Sequence, residues 1–316
     1  MINWGINALN HGSSVAVFVD NNLQTNVFDK NDELSPSTIQ DILKYGDPDN
    51  IYWYEQPWLK KSRQLYAGQY HRVFDLKVLP KNYLKKININ YKSLNYTPHH
   101  GSHAAAGYYT SPFDNCAVVV LDAIGDWECA TIWKGHHGEL TKVWSRDYPN
   151  SLGLFYSAFT QLIGLSPIHD EYLLEQMSSQ GDWQRYYEYV NSYFNFNSVL
   201  EMNYNFHRGA EHWDYEIDND QTRYDIAAAI QRVFEEQVSQ VMRTAKELTG
   251  CESLVYMGGC AMNRTANKKV VEPKFKYIWS LPQPGDPSSS IGAVLYHTKQ
   301  RCEKDLGVVK HIDIRV

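Results

Sequence analysis

The chain has no CxxC pair. Its five cysteines, at 116, 129, 251, 260 and 302, are scattered and odd in number. That pattern excludes a disulfide framework or a zinc knuckle and points to a reducing compartment, the cytoplasm. No stretch approaches the ~18 apolar residues of a membrane span. The opening MINWGINALN lacks the basic region and long apolar run of a secretion signal. No membrane association is expected. Neither a Walker A motif nor GxGxxG occurs, which removes the two commonest phosphate-loop signatures. Cations are in the minority, with 30 Lys and Arg against 36 Asp and Glu and a net charge of −6. A broad nucleic-acid surface is disfavoured by that balance. There is no low-complexity tract and no Pro/Ser-rich linker.

What is present is core. Hydrophobic residues make up 43% of 316, enough for one large or two medium domains. The 23 Tyr and 9 Trp are read as buried aromatics. The first 30 residues form a three-strand meander, with Asn21-Asn22 as a turn. A short helix over 37–45, a strand over 51–56 and a helix over 57–72 follow. Residues 80–96, rich in Lys, Asn and Tyr, read as a mobile or extended connection, with KNYLKK a solvated loop. AVVVLDA at 117–123 is a buried strand. CATIWKG and LTKVWSRDY around HHGE complete a second meander. Helices dominate 151–249, the longest over 222–249 and ended by Gly250. SLVYMGG and FKYIWSL are further strands, and 288–299 is a closing helix. Strand meander then helices, twice, predicts a duplicated α/β architecture around a cleft. The subdomains are placed at 1–115 and 116–316, the second with a helical insertion at about 151–250.

Residues 98–109 read PHHGSHAAAGYY. Thr97 is positioned as N-cap and Pro98 in the first turn, and the alanines favour helix. His99 and His103, four apart, then share a face. The zinc-protease form of this spacing needs a Glu where His100 stands, so it is set aside. Four glycine-bearing turns follow strands or open helices: GINALNHGSS, DAIGDWE, GGCAMN and PGDPSSSIGA. Backbone N–H groups in such turns approach phosphate oxygens, which predicts nucleotide held across the cleft. Two of these turns carry an Asp, Asp122 at a strand end and Asp286 before the last helix. They serve either as turn and helix caps or, with His99 and His103, as a two-His, two-carboxylate site suited to iron(II), manganese or zinc.

The ordered motifs resemble a family. HHGSHAAAGYYTSPF is close to HHxxHAAxAYxxSPF. VVVLDAIGDWECATIW follows a strand–DGxGEW–T pattern, NSLGLFYSAFTQLIG follows SLGxxYxxxTxxLG, and GGCAMNRTAN and PGDPSSSIGA follow GGxAxNxxxN and GDxGxxxGA. With the opening GIN…HGSSVAVFVD, they resemble the N-terminal domain of NodU/CmcH/TobZ-type O-carbamoyltransferases, itself similar to the TsaD/Kae proteins. The resemblance implies an actin/hexokinase/Hsp70-like α/β fold and a metal held by His99, His103, Asp122 and Asp286. It implies ATP and carbamoyl phosphate giving a carbamoyl-adenylate, whose carbamoyl group passes to a hydroxyl-bearing small molecule or nucleotide. Gly125, Gly258, Gly259, Asn263, Asn267 and Ser289 become the nucleotide-binding candidates, and His11 the candidate base.

Departures from the family pattern are equally specific. The family's His-Asp is His11-Gly12, its DG is Asp122-Ala123, and Glu175 stands where a Lys near phosphate is expected. No counterpart of the family's YrdC-like domain is seen, so an activating partner chain, or homo-oligomerisation over the same face, is expected. Two other functions compete with carbamoyl transfer to a hydroxyl. One is a transfer of the tRNA threonylcarbamoylation type, which the net charge disfavours. The other is a nucleotide-binding regulatory or scaffold protein without catalysis.

Overall fold

The computed structural model describes residues 1–302 except 11 and 196. The opening meander is β1 (Ile2–Asn10), β2 (Gly12–Val19) and β3 (Asn22–Asp29), antiparallel throughout. After α1 (Pro36–Leu43), β4 (Asn50–Trp53) returns parallel to β1. Then come α2 (Pro57–Tyr66), α3 (Tyr70–Val73) and α4 (Pro80–Lys86), before β5 (Ser93–Tyr96) pairs with β4. The resulting order is β3-β2-β1-β4-β5. The helix α5 (His99–Thr110) crosses to the second half. There β6 (Asn115–Gly125), β7 (Glu128–His136) and β8 (Glu139–Asp147) repeat the meander.

The insertion holds α6 (Leu152–Leu162), α7 (Glu171–Met177), α8 (Gln184–Asn191), a two-residue pairing of β9 (Phe194–Asn195) with β10 (Glu201–Met202), and α9 (Asp220–Thr249). The sequence pattern did not reveal β9 and β10, which are too short to show alternation. Next are β11 (Ser253–Met257), the short α10 (Arg264–Ala266), β12 (Tyr277–Trp279) and α11 (Ser289–Thr298). The second sheet runs β12-β11-β6-β7-β8. One strand order built twice is the duplicated actin/hexokinase-like arrangement that the family resemblance implies.

The long helix α9 shows how local chemistry sets these bounds. Asn219 Oδ1 accepts from Thr222 N at 2.9 Å, and Gly250 closes the helix at φ +66°. Residues 80–96 depart from the extended connection expected of them. Pro80 suits the first turn of α4, and Tyr83 and Leu84 are buried while the lysines face water. The Tyr83 hydroxyl accepts from Leu34 N at 2.9 Å, which fixes the helix against the first sheet.

Burial is layered. Trp4, Ile6, Val17 and Trp53 pack under α1 and α4 on the outer face of the first sheet. Phe155, Phe159, Ile230 and Val233 pack on the outer face of the second. Between the sheets lie α5, which packs on β6, β7 and β11, and α11, which packs on β1, β2 and β4. This middle layer explains why β2 is buried on both faces. The two helices meet backbone to backbone. A Cβ on Gly292 would stand 1.7 Å from Ser102 O, so only glycine allows that approach.

Candidate metal centre

Pro98, not Thr97, occupies the N-cap of α5, and it makes no side-chain cap bond. Thr97 Oγ1 is turned to His297 Nε2 (3.1 Å) and Ala293 O (3.4 Å). The exposed helix donors need an acceptor, and Asp126 supplies it from the β6–β7 turn. Its Oδ2 accepts from His99 N at 2.9 Å and its Oδ1 from Gln56 N at 2.9 Å. Burial raises the Asp126 carboxyl to about 6, against the lowering effect of His99.

From that fixed start, His99 and His103 point one ring edge the same way, with Nε2 atoms 3.1 Å apart. Asp122 arrives from the end of β6 and Asp286 from the turn before α11. His99 Nε2 lies 3.2 Å from Asp122 Oδ2 and 3.2 Å from Asp286 Oδ1. The corresponding distances for His103 are 3.4 and 3.3 Å. All four donor atoms fall within 4.8 Å of one another. Burial opposes charge on His99 and His103, yet the two carboxylates hold both imidazoles above their usual range. Burial likewise opposes ionisation of Asp122 and Asp286, and the two imidazoles outweigh it and keep both carboxyls low.

The cluster fits a divalent transition metal. The measured spacings match the edge of about 3.3 Å of a tetrahedron of N and O ligands at ~2.0–2.1 Å. Two buried Nε2 atoms facing each other at 3.1 Å find a common partner in a cation, and an N2O2 set suits iron(II), manganese or zinc. The outer supports are present as well. Asp122 Oδ1 accepts from Gly259 N at 3.2 Å, and Ser289 Oγ lies 3.3 Å from His103 Nδ1. His100, by contrast, turns to Thr131 Oγ1 at 3.1 Å, and burial keeps it neutral.

The remaining candidates are distributed around this cluster. Gly125 lies against His99: a Cβ there would be 2.3 Å from the His99 ring. Gly258, at φ +92°, leaves no room for a Cβ beside Leu121 O, and its N–H donates to Pro284 O at 2.8 Å. That bond joins two of the glycine turns. Ser289 lies behind His103, not in a loop. Asn263 uses its amide within the fold, on Gln231, Tyr156 and Ala266 N. Asn267 donates to Ala261 O at 2.8 Å. Glu175 Oε1 accepts from Thr265 N at 2.7 Å, so this acid anchors the turn into α10. His11 lies outside the described residues.

Sequence reasoning missed three groups that border the cluster. Asp126 stands in DAIGDWE, a turn the sequence singled out for its glycine, but reading Thr97 as the N-cap hid the need for an acceptor at the start of α5. Asn7 donates to Asp286 O at 3.0 Å and leaves a buried Oδ1 unpartnered. The Tyr54 ring lies 5.1 Å from that of His99, and its buried hydroxyl has no hydrogen-bond partner among the described residues. No pattern in WYEQ signals that.

A duplicated actin-like fold with a two-His, two-carboxylate cluster at its centre is the class that fold and site define. Residues 6–295 match the family described as Carbamoyltransferase N-terminus, and the chain belongs to that family. An uncharacterized protein of Synechocystis sp. is 36% identical over 220 residues, covering 63% of this chain and 36% of that protein. The nodulation protein NolNO of Sinorhizobium fredii is 24% identical over 283 residues, covering 83% of this chain and 42% of that protein. The chain thus spans less than half the length of these curated relatives. Among solved structures, full-length HypF in its phosphate- and nucleotide-bound form aligns over 94% of this chain and 55% of that one, at 14% identity and a TM-score of 0.49. No described helix is long and apolar enough to cross a membrane.

Proposed function

We propose that the protein transfers a carbamoyl group from a carbamoyl-adenylate, made from ATP and carbamoyl phosphate, to the hydroxyl of an acceptor. The observation that carries this is the convergence of His99, His103, Asp122 and Asp286 within 4.8 Å at the centre of a carbamoyltransferase-family fold. A divalent metal held by these four would supply Lewis-acid polarisation and offset phosphate charge. Iron(II), manganese and zinc all suit the donor set. The chain's own residues do the rest. Asp126 fixes the start of α5 and so the aim of both imidazoles. The joined turns at Gly258–Gly259 and Pro284–Gly285 face the nucleotide; with Gly258 N and Gly259 N held by Pro284 O and Asp122 Oδ1, what they offer its phosphates is close approach past residues without side chains. Asp122 ties one of those turns to the metal ligands through Gly259 N. The adenylate is supplied by a YrdC-like unit, on the same polypeptide or on a separate chain.

The test pairs binding with turnover. Metal content and ATP binding are measured by calorimetry for wild type, His103→Ala and Asp286→Ala, loaded with iron(II) or manganese. Carbamoyl release from ATP and carbamoyl phosphate is followed with a YrdC-like activator present. Loss of metal, of metal-dependent ATP binding and of carbamoyl release in both variants is expected. If both variants keep all three, the proposal is wrong.

A further inference from the structure

One buried cation near the cluster, within the field of Glu55 and Asp126, has no hydrogen-bonded counter-ion among the described residues. Arg63, on α2, is 9% exposed, its Nε is enclosed without a partner, and its guanidinium makes no hydrogen bond or ion pair with a described residue. The nearby acids are engaged elsewhere. Glu55 is held by Lys60 at 2.8 Å, and Asp126 accepts the N–H groups of Gln56 and His99. A guanidinium stays charged at any working pH. Leaving it buried and unpaired is unfavourable unless something arrives to pair with it.

Two further arginines stand close by without acids. Arg72 and Arg208 are exposed and make no side-chain bond among the described residues. His207, beside Arg208, lies 3.2 Å from Gln69 Nε2 and its ring 5.6 Å from that of Tyr148, which brings the turn of Arg208 against the segment that carries Arg72, and Arg63, Arg72 and Arg208 all disfavour charge on that imidazole. The segment that carries Arg72 is pinned. Lys61 Nζ donates to the carbonyls of Arg72, Val73 and Asp75 at 2.8–3.0 Å. The turn that carries Arg208 is pinned as well, because Asn205 accepts from His207 N at 3.0 Å and donates to the Tyr148 hydroxyl at 2.6 Å. An aromatic wall adjoins them. Tyr66 lies 5.4 Å from Trp127 and 6.2 Å from Tyr148, and Trp127 Nε1 donates to Ser62 Oγ at 2.9 Å.

We infer that this is the acceptor subsite. Arg63 pairs with an oxyanion on the acceptor, Arg72 and Arg208 guide it at the rim, and Tyr66 and Trp127 pack against a flat ring. The assignment to the acceptor rests on the carbamoyl-transfer proposal and on connectivity. The glycine turns adjoin the cluster at Asp122 and Asp286, whereas α2, which carries Arg63, joins it from the other end, through Gln56 N, Asp126 and the start of α5. The acceptor is therefore an anionic ring compound bearing a hydroxyl, its anion a phosphate or a carboxylate.

Phenyl phosphate, inorganic phosphate, benzoate and phenol are titrated into the full chain by calorimetry, for wild type, Arg63→Met, Arg63→Lys and Arg72→Gln/Arg208→Gln. Phenyl phosphate or benzoate binds in the millimolar range or tighter. Whichever binds more tightly names the anion, and phenol gives no heat. Arg63→Met weakens that anion about tenfold or more, as loss of a charge-assisted contact does, and Arg63→Lys weakens it less. Without ligand, Arg63→Met melts no lower than wild type, because it removes an unpaired buried charge. No anion binding by wild type, unchanged affinity in Arg63→Met, or a lowered melting temperature in that variant overturns the inference. Manganese–ATP titrations on the same proteins separate the two proposals. Anion binding without manganese–ATP binding defeats carbamoyl transfer and leaves the anion site. The converse defeats the anion site alone.

Discussion

Alanine at position 292 tests whether the contact between α5 and α11 holds the cluster of His99, His103, Asp122 and Asp286 together. The added Cβ would stand 1.7 Å from Ser102 O and 2.8 Å from Ala106 N. Both are backbone atoms, so no rotamer change relieves the clash. An ordinary C···O contact is about 3.3 Å, so the helices must part by roughly 1.6 Å. Overpacking of this kind costs about 1–3 kcal/mol where side chains can adjust, and the upper end applies here. At ~2–4 °C per kcal/mol for a chain of this size, the melting temperature falls by roughly 6–12 °C. The functional effect follows from position. Asp286 lies in the turn that leads into α11, while His99 and His103 are on α5. Parting the helices stretches carboxylate–imidazole spacings of 3.2 and 3.3 Å toward 5 Å. A displaced ligand support typically lowers metal affinity by about 10–100-fold. Thermal melts and manganese titrations measure both. Gly138→Ala is the comparison, since its φ is +78° and nothing lies within 4 Å, so it carries backbone strain of about 1 kcal/mol without a clash. If Gly292→Ala melts like Gly138→Ala and binds manganese as wild type does, the helix contact does not set the cluster.

Gly125→Ala, with its Cβ 2.3 Å from the His99 ring, should destabilise the fold by about 1–3 kcal/mol and weaken manganese binding, read by urea titration and calorimetry. Glu175→Ala orphans Thr265 N, held at 2.7 Å, and should cost about 1–2 kcal/mol in urea unfolding, with Glu175→Gln retaining most of the stability. His297 is kept neutral by burial, its pKa below the ordinary 6.5. The unfolded chain therefore takes up this proton first as pH falls, and the stabilising effect of the neutral imidazole, complete above 6.5, is lost below it. Melts at pH 7.5, 6.5 and 5.5 should show a shallower acid-side fall for His297→Gln than for wild type.

Much of this was legible because it is periodic or punctuated. The meanders follow from SVAVFVD and AVVVLDA, and the end of α9 from Gly250. The four-residue spacing of His99 and His103, with Asp122 at a strand end and Asp286 before the last helix, left the cluster as one of two readings, and the family resemblance singled it out. What escaped depends on residues far apart in the chain. The composition of 80–96 hides a helix whose Tyr83 and Leu84 are needed by a sheet formed 30 and more residues earlier. Thr97 loses the capping role because Asp126, 27 residues beyond His99, reaches the helix first. Arg63 looks like any surface cation of an amphipathic helix until the fold encloses it.

The backbone contact between α5 and α11 also limits how the molecule can move. Each helix is packed on a different half, so a rotation of the halves that keeps this contact uses the pair as its axle. His99, His103, Asp122 and Asp286 sit on or beside that axle, where a given rotation produces the least displacement. Arg63, on α2, lies off the helix pair, where the same rotation produces more. A swivel of this type would move the Arg63 side of the molecule while leaving the His/Asp cluster nearly unchanged. Ligand-induced compaction in small-angle scattering, with manganese affinity constant, is its signature.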